Sequence, residues 1–346
     1  MKKRAVLLAN LGSPDTPQTE DVRKYLEQFL LDPYVIQLPW LLRKLIVNLF
    51  VLPSRPQTSA KAYQSIWTKD GSPLITLSEQ LNQALQTQVN FPIAIAMRYG
   101  NPSIESQLLN LTKNPDVSEL LFIPLYPHYA ESTVTTSVME AKRVIKKHKL
   151  KVSLTVFEPF YKNAGYITAL VNSALPYLQK EYDHLVFSYH GLPELHITKL
   201  DKSKKHCLKS NVCCYLPNDA HKTCYRHQVF QTMHLFARQA GLSAKKYSAS
   251  FQSRLGRAKW LGPNTEDHLR QLAKNGAKNV LVICPSFVTD CLETLEEIEI
   301  RGKEVFIEAG GESLTLIPCL NDNPEWVKVL ASWCKEPKFD SANIPQ

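Results

Sequence analysis

The stretch Leu185–Pro193, LVFSYHGLP, is an apolar run that ends in a turn containing Gly191 and Pro193. Residues 7–14, LLANLGSP, repeat this pattern near the start of the chain. Short apolar runs that end at such turns and alternate with segments of helical periodicity are typical of parallel strands joined by crossover helices. The repeat therefore predicts two similar α/β domains, each containing one strand of this kind.

Eight apolar runs of this type occur, four in each half of the chain. They span residues 5–11, 93–99, 119–126, 152–158, 184–190, 246–252, 279–287 and 314–320. We predict an N-terminal domain over 1–160, a C-terminal domain over 161–335 and a tail over 336–346. Ligands of such folds bind beyond the carboxyl ends of the strands. This rule places four residues on the functional rim: Tyr99, Tyr126, His190 and Asp290.

Composition indicates a globular protein, because 44% of the 346 residues are hydrophobic and 21% are charged. The net charge of +9 favours an anionic partner, but no DNA- or RNA-binding signature accompanies it, so we expect no nucleic acid. Neither a GxGxxG nor a Walker motif occurs, which argues against nucleotide binding. The absence of a GxSxG elbow argues against a Ser-His-Asp hydrolase.

The basic N-terminus and the apolar run after it read better as a first buried strand than as a signal peptide, so we expect a cytoplasmic protein. The longest apolar run, Trp40–Leu52, has 13 residues and is too short to cross a bilayer. It lies in a segment, 27–67, that interrupts the first domain. This segment is either a helix packed on its own domain or an exposed lip that covers an apolar ligand or contacts a membrane surface.

Two groups of residues are candidates for a catalytic site. His190 follows a buried-looking strand at a forced turn, where an imidazole can accept a proton or bind a divalent metal. If the chain after Asp290 is helical, Asp290, Glu293 and Glu297 form a row of carboxylates on one face, which could conduct protons or metal ions. The alternative for the row is a solvated acidic helix. A histidine opposite such a row suits an enzyme that handles a metal and protons together.

A cysteine-rich stretch, His206–Cys224, holds four of the eight cysteines: Cys207, Cys213, Cys214 and Cys224. A reducing cytoplasm disfavours disulfides there. The spacing C-x5-C-C-x9-C leaves a mixed Cys/His zinc site with His206, His221 and His227 open, and it also fits the four thiolates of a 2Fe-2S cluster. The other four cysteines are scattered singly and read as small buried hydrophobes: Cys284, Cys291, Cys319 and Cys334.

The chain resembles the ferrochelatases, which insert ferrous iron into a porphyrin. The matching motifs, in the family's order, are LLANLGSPDTP, AMRYG, PLYPHYAESTVTTS, FSYHGLP, KWLGPNT, TDCLETLEEI and CLNDNPEWV. The resemblance implies two Rossmann-like domains, each with a four-stranded parallel sheet, and a porphyrin clamped between them. It also implies that His190 and Glu293 are catalytic and bind the Fe2+ substrate, and that Asp290 and Glu297 line an acidic path.

Pocket positions carried over from the family motifs are Leu11, Arg98, Tyr99, Tyr126 and Trp260. The propionates of the ring need cationic or hydroxyl partners, for which Arg98, Ser132 and Thr133 are candidates. Leu11 and Ser13 stand where relatives that act on coproporphyrin tend to carry a tyrosine. This difference and the apolar lip favour protoporphyrin IX as substrate, protohaem as product and peripheral membrane contact. The alternatives are a chelatase for coproporphyrin or another tetrapyrrole, and a non-catalytic haem or iron-sulfur carrier or sensor.

The chain departs from the common family pattern after the histidine motif, where residues 194–224 form an insertion that contains the four clustered cysteines. It resembles the bacterial subgroup in which all four ligands of a 2Fe-2S cluster lie in an internal segment. The resemblance therefore implies a 2Fe-2S cluster on this loop as a cofactor, separate from the substrate iron.

Overall fold

A computed structural model of the chain describes residues 3–254, 256 and 258–336. The tail predicted at 336–346 lies outside the described residues except for Glu336. Within the described part, internal contacts divide the chain into two units. The first comprises residues 3–126, 131–159 and 327–336, and the second comprises residues 127–130 and 160–326.

The first unit is built on a parallel sheet of four strands in the order β2-β1-β3-β4. These strands are β1 Lys3–Ser13, β2 Ile93–Gly100, β3 Val117–Pro124 and β4 Ser153–Val156. Its helices are α1 Thr19–Leu30, α2 Trp40–Ile46, α3 Arg55–Ile66, α4 Pro73–Gln86, α5 Ile104–Leu111 and α6 Thr136–Lys147. Two π-helical turns, Val47–Val51 and Glu131–Thr135, extend α2 and precede α6.

The second unit has a parallel sheet of the same topology, in the order β6-β5-β7-β8. Its strands are β5 His184–His190, β6 Tyr247–Gln252, β7 Asn279–Ile283 and β8 Ser313–Ile317. Its helices are α7 Ala164–Leu178, α8 Glu194–Thr198, α9 Tyr225–Gln239, α10 Thr265–Lys274, α11 Leu292–Thr294, α12 Lys303–Glu308 and the start of α13 Pro324–Lys335. A 3-10 turn, Asp219–Lys222, precedes α9, and a π-helical segment, Leu295–Gly302, joins α11 to α12.

The predicted α/β class with two four-stranded parallel sheets is confirmed, and each of the eight apolar runs contains a strand. Sheets of this kind are covered by helices on both faces, so their strands read as continuous apolar runs rather than as alternating ones. Residues 5–9 of β1, all fully buried, show this directly. The core therefore lies along the two faces of each sheet.

The Gly-x-Pro turns of the two sequence repeats have a common steric cause. A Cβ on Gly12 would lie 1.8 Å from the carbonyl oxygen of Tyr99, its register partner on β2. A Cβ on Gly191 would lie 2.7 Å from the carbonyl oxygen of Gln252, the last residue of β6. Both glycines thus allow the chain to pass close to the neighbouring strand at the carboxyl end of the sheet.

The last helix belongs to both units. Residues 327–335, which the sequence predicts in the C-terminal domain, group with the first unit. Two contacts account for this: the Trp333 ring stacks on Phe157 at a centroid distance of 4.6 Å, and the Arg4 guanidinium donates to the carbonyl oxygen of Cys334 at 3.1 Å. Both contacts are long-range and therefore leave no local sequence signal.

The lip segment is a helix with one anchored face and one exposed apolar face. Val47 and Leu52 pack with Leu30 in a buried cluster, and the buried Arg43 donates to the carbonyl oxygen of Leu38 at 2.9 Å. The opposite side, which we call the lip face, consists of exposed apolar residues: Leu38, Trp40, Leu41, Leu42, Leu45, Leu49 and Phe50. Among the helices that the structure describes, none is both long enough and apolar enough to cross a membrane.

Candidate active site

His190 is the last residue of β5 and is half-buried. Its Nδ1 lies 2.7 Å from the carbonyl oxygen of Gly191. Because a carbonyl can only accept, Nδ1 must carry the proton, and the lone pair of the neutral ring is then on Nε2. Burial lowers the pKa of His190, although the nearby Glu293 carboxylate acts in the opposite direction. The imidazole is therefore neutral near pH 7 and can accept a proton or bind a metal.

The carboxyl end of β5, which carries His190, is held in place by buried aromatic side chains. The Tyr225 hydroxyl donates to the main-chain oxygen of His190 at 2.8 Å and lies 2.9 Å from the Ser286 Oγ. The buried His128 ring packs edge-on against Tyr189 and Tyr225. Burial lowers the pKa of His128 to about 3, so this second imidazole is neutral and acts as packing beneath the site.

The predicted row of carboxylates is partly wrong. The helix begins at Leu292, after Asp290, and its winding changes to π-helical at Leu295, so a regular i, i+3, i+7 row does not form. Asp290 is buried and accepts hydrogen bonds from the Thr294 hydroxyl at 2.9 Å and the Asn321 amide at 2.8 Å. Asp290 thus anchors the loop before the helix instead of standing in the predicted row of carboxylates.

Glu293 and Glu297 are half-buried and differ from Asp290 in their surroundings. Burial raises the pKa of the Glu293 carboxyl, and the Glu297 charge raises it further. Burial also raises the pKa of Glu297, whose Oε2 accepts from the Ser253 hydroxyl at 2.5 Å. Its Oε1 lies 3.5 Å from the guanidinium of Arg301. Two carboxylates with an increased affinity for protons therefore follow each other from the site toward the exposed Arg301.

Trp260 lies beside the same turn. It forms an isolated bridge with Pro193, and its ring lies 3.2 Å from the position that a Cβ on Gly191 would occupy. The structure therefore brings together, in the second unit, five of the predicted site residues: His190, Asp290, Glu293, Glu297 and Trp260. Sequence reasoning missed Tyr225, Ser253 and Gln252, whose only signal is their place next to strand ends or helix starts.

The predicted residues of the first unit divide into two groups. Tyr99 and Tyr126, which we had placed on the functional rim, are buried in the interior, and burial raises the pKa of both phenols. The half-buried residues are Leu11 in β1 and Ser132 and Thr133 in the π-helical turn before α6.

Arg98 is held by a buried ion pair. Its Nη2 lies 2.5 Å from an oxygen of Asp32, a carboxylate that is 2% exposed, and its Nε donates to the Thr136 hydroxyl at 2.7 Å. The Tyr99 hydroxyl donates to the same Asp32 oxygen at 3.0 Å. The positive charge of Arg98 is therefore largely balanced inside its own unit.

The four clustered cysteines are buried and lie against one another. The thiols of Cys207 and Cys214 are both hydrogen-bonded to that of Cys224, and the sulfur atoms of Cys213 and Cys214 are 4.0 Å apart. The Arg226 guanidinium lies 3.4 Å from the Cys214 sulfur. All eight cysteines are free thiols.

Two of the histidines considered as zinc ligands, His221 and His227, contact each other and the main chain. His221 and His227 stack with ring centroids 3.7 Å apart, and their nitrogens contact the carbonyl oxygens of Cys213 and Cys214 at 3.0 and 2.7 Å. Over residues 3–254, 256 and 258–336, no group of three or more His, Cys, Asp or Glu side chains is arranged to hold a metal ion. The thiols are thus gathered without forming a complete ligand sphere.

Comparisons with known proteins identify the family of the chain. A family model of ferrochelatases matches residues 3–338. A ferrochelatase of Pseudomonas fluorescens strain Pf0-1 is 54% identical over 337 residues, which cover 97% of this chain and 98% of that relative. A ferrochelatase of Azotobacter vinelandii is 52% identical over 339 residues, which cover 97% of this chain and 100% of that relative.

Two solved structures share the fold. SirB from Bacillus subtilis with Fe3+ has a TM-score of 0.55 and 14% identity, and it covers 96% of this chain and 95% of its own. The sirohydrochlorin chelatase SirB from Bacillus subtilis subspecies spizizenii in complex with cobalt has a TM-score of 0.54 and 11% identity, with coverage of 96% and 94%. At these identities the likeness extends to the fold alone.

Proposed function

Because the chain belongs to the ferrochelatase family, we propose that His190 and Glu293 form its iron-insertion centre. The enzyme is a lyase that inserts ferrous iron into protoporphyrin IX to give protohaem, the last step of haem biosynthesis. The observation that carries the proposal is a neutral imidazole next to a carboxylate whose proton affinity is increased by burial. These are the two properties that the reaction requires.

The reaction exchanges two protons for one metal ion. Two pyrrole N–H bonds break, Fe2+ forms bonds to the four ring nitrogens, and two protons leave. Distortion of the ring exposes a nitrogen lone pair, and binding energy from the rest of the macrocycle can supply that strain. His190 Nε2 and the Glu293 carboxylate act as transient ligands of the incoming iron and as acceptors of the leaving protons.

Glu297 continues the proton path from Glu293. It lies between the Ser253 hydroxyl and the Arg301 guanidinium, and Arg301 is exposed. A proton taken by Glu293 can therefore pass to Glu297 and from there to solvent. Asp290 serves this path indirectly, since its bonds to Thr294 and Asn321 fix the start of α11.

We assign porphyrin contacts within each unit separately. In the second unit, the Trp260 ring beside Gly191 offers an apolar surface next to His190. In the first unit, the half-buried Leu11 can contact the macrocycle, and the hydroxyls of Ser132 and Thr133 can bind a propionate. Arg98 contributes less direct charge than the sequence suggests, because Asp32 already balances it.

Substrate choice is tested by comparing the turnover of protoporphyrin IX and coproporphyrin with Fe2+. We expect protoporphyrin to be the better substrate, because the exposed lip face favours the more hydrophobic ring. A preference for coproporphyrin would assign the enzyme to the other chelatase class. Binding of porphyrin without iron insertion would support the carrier or sensor instead.

A 2Fe-2S cluster fits the donor set of the cysteine-rich loop. Four buried thiols are the donors that hold such clusters, and soft thiolates favour iron-sulfur over hard cations. Cys207, Cys213, Cys214 and Cys224 would hold it. When bound, the group would supply one-electron redox chemistry, which is a different role from that of the substrate iron handled by His190 and Glu293.

Replacing one clustered cysteine tests this cofactor. Cys213→Ser should abolish the visible absorption bands of the freshly purified protein and its content of inorganic sulfide, because a 2Fe-2S cluster needs four strong ligands. The matched control is Cys334→Ser, which changes a buried cysteine outside the loop and should leave the bands intact. A colourless wild-type protein that contains zinc would refute the cluster.

Peripheral membrane contact is proposed for the lip face. Monomeric soluble proteins rarely expose contiguous apolar surface of this kind, and Leu41 and Phe50 are 74% and 71% exposed. Lys44 lies 4.9 Å from the centre of the Trp40 ring, which puts a cation next to the apolar side chains. Such a helix can lie in the headgroup region and take a hydrophobic porphyrin from the membrane.

Vesicle binding tests the lip face. Leu41→Ser combined with Phe50→Ser should weaken sedimentation with phosphatidylglycerol-containing vesicles by at least about tenfold, since each lost apolar burial is worth about 1.5–3 kcal/mol. The control Ile307→Ser removes a half-exposed apolar side chain of α12 in the other unit and should bind as the wild type does. Equal binding of the double variant and the wild type would contradict the assignment.

A further inference from the structure

We propose that Gln252 is a positioning residue that holds the start of the Glu293 helix in register with His190. The inference rests on the proposed roles of His190 and Glu293. Gln252 carries no chemistry of its own and is 3% exposed. Its main chain and side chain connect three elements that carry the active-site residues. These are β5, β6 and the α11 helix with its π-helical continuation.

The main chain of Gln252 fixes it next to His190. Gln252 ends β6, and it is the register partner of His190 on β5. Its carbonyl oxygen accepts a hydrogen bond from the Gly191 main-chain nitrogen at 2.7 Å, at the turn that directs the His190 ring. The same carbonyl leaves no space for a Cβ at Gly191.

The side chain of Gln252 reaches the opposite half of the site. Its Nε2 donates to the main-chain oxygen of Glu293 at 2.5 Å and to the Glu297 carboxylate at 3.2 Å. One amide group thus fixes the main chain of Glu293 and the carboxylate that follows it on the proton path.

The orientation of the amide follows from its partners. The Oε1 of Gln252 accepts from the Ser188 hydroxyl at 2.6 Å and faces the Cys284 thiol at 3.8 Å. The Nε2 faces a carbonyl and a carboxylate, which can only accept. Only an amide supplies an acceptor on one side and two donors on the other. An isosteric carboxylate would keep the Ser188 bond and lose the donors toward Glu293 and Glu297.

A positioning role has a kinetic consequence. Misplacement of a catalytic group by about 1 Å can cost about a hundredfold in rate. Since the side chain of Gln252 bonds to Ser188, Glu293 and Glu297, its loss should lower turnover and leave porphyrin affinity unchanged. A purely structural residue would lower stability without this separation.

The test compares Gln252→Glu and Gln252→Met with the matched control Gln228→Met. Gln228 is also a fully buried glutamine of the second unit, with its amide bonded to the Tyr129 and Lys222 main chains. Turnover, the KM values for Fe2+ and protoporphyrin, and the melting temperature are measured for all three. Both Gln252 variants should lose about tenfold to a hundredfold in kcat at an unchanged porphyrin KM. Gln228→Met should lose stability and retain its kcat.

Two results would overturn the inference. One is a wild-type kcat for Gln252→Glu. It would show that catalysis needs only the Ser188 bond and not the two donors toward Glu293 and Glu297. The other is a loss of kcat that follows the drop in melting temperature equally in the Gln252 and Gln228 variants. Glu293→Gln is assayed alongside. If it is inactive while Gln252→Glu is normal, only the positioning role fails, whereas a fully active Glu293→Gln would refute the proposed centre itself.

Discussion

Glu293→Gln is expected to lower the turnover of iron insertion by about a hundredfold to a thousandfold, because a positioned proton acceptor contributes on this order to a rate. The substitution keeps the size of the side chain and removes its ability to take a pyrrole proton or to bind Fe2+ as an anion. The main-chain oxygen of Glu293 that Gln252 holds is unaffected. Stability should change little, since the substitution removes a partly buried charge.

The matched control for this prediction is Glu296→Gln. Glu296 stands three positions further along the same segment, and its carboxylate lies 3.3 Å from the Arg301 guanidinium at the surface. We expect it to retain nearly full turnover with protoporphyrin and Fe2+. If Glu293→Gln also kept wild-type turnover, Glu293 would not take part in the reaction and the proposed iron-insertion centre would be refuted.

His190→Asn is expected to reduce turnover by at least about a hundredfold, since it removes the Nε2 lone pair that accepts a proton or binds the metal. The asparagine amide can still donate to the Gly191 carbonyl, as Nδ1 does in the wild type. The strand end and the Tyr225 bond to the main-chain oxygen therefore remain. The loss is measured as kcat with saturating Fe2+ and protoporphyrin.

His268→Asn is the control for the imidazole. His268 is a half-buried histidine of α10 whose Nε2 lies 2.7 Å from the Ser248 hydroxyl, at the other end of β6. Its replacement should cost some stability and leave kcat near that of the wild type. Equal losses in the two variants would mean that His190 supports the fold and does not take part in the reaction.

The fold could be predicted because its signal is local. A buried parallel strand needs an apolar run and a turn at its carboxyl end, and both are visible in a stretch such as Leu185–Pro193. The position of His190 at a strand end follows from the same pattern. The bounds of the units were less predictable, since residues 327–336 join the first unit through contacts with Phe157 and Arg4 that are distant in sequence.

The site could be predicted only in part, because several of its charged side chains bond to residues that are distant in sequence. Asp290 was expected in a row of carboxylates on one helix face, but hydrogen bonds from Cys319 and Asn321, about 30 positions along the chain, make it an anchor of the loop instead. Arg98 was expected to meet a propionate, but Asp32, 66 positions away, balances its charge. Gln252 has no motif at all, and only the register of β5 with β6 shows that it is the neighbour of His190.

The most direct test of the central claim, that His190 and Glu293 act as one iron-insertion centre, is the turnover of the double variant His190→Asn, Glu293→Gln with Fe2+ and protoporphyrin IX. Residues that act as a unit show strongly non-additive losses. The account predicts that the double variant is no slower than the slower of the two single variants. Losses that multiply would contradict it, because they would assign the two side chains to independent functions.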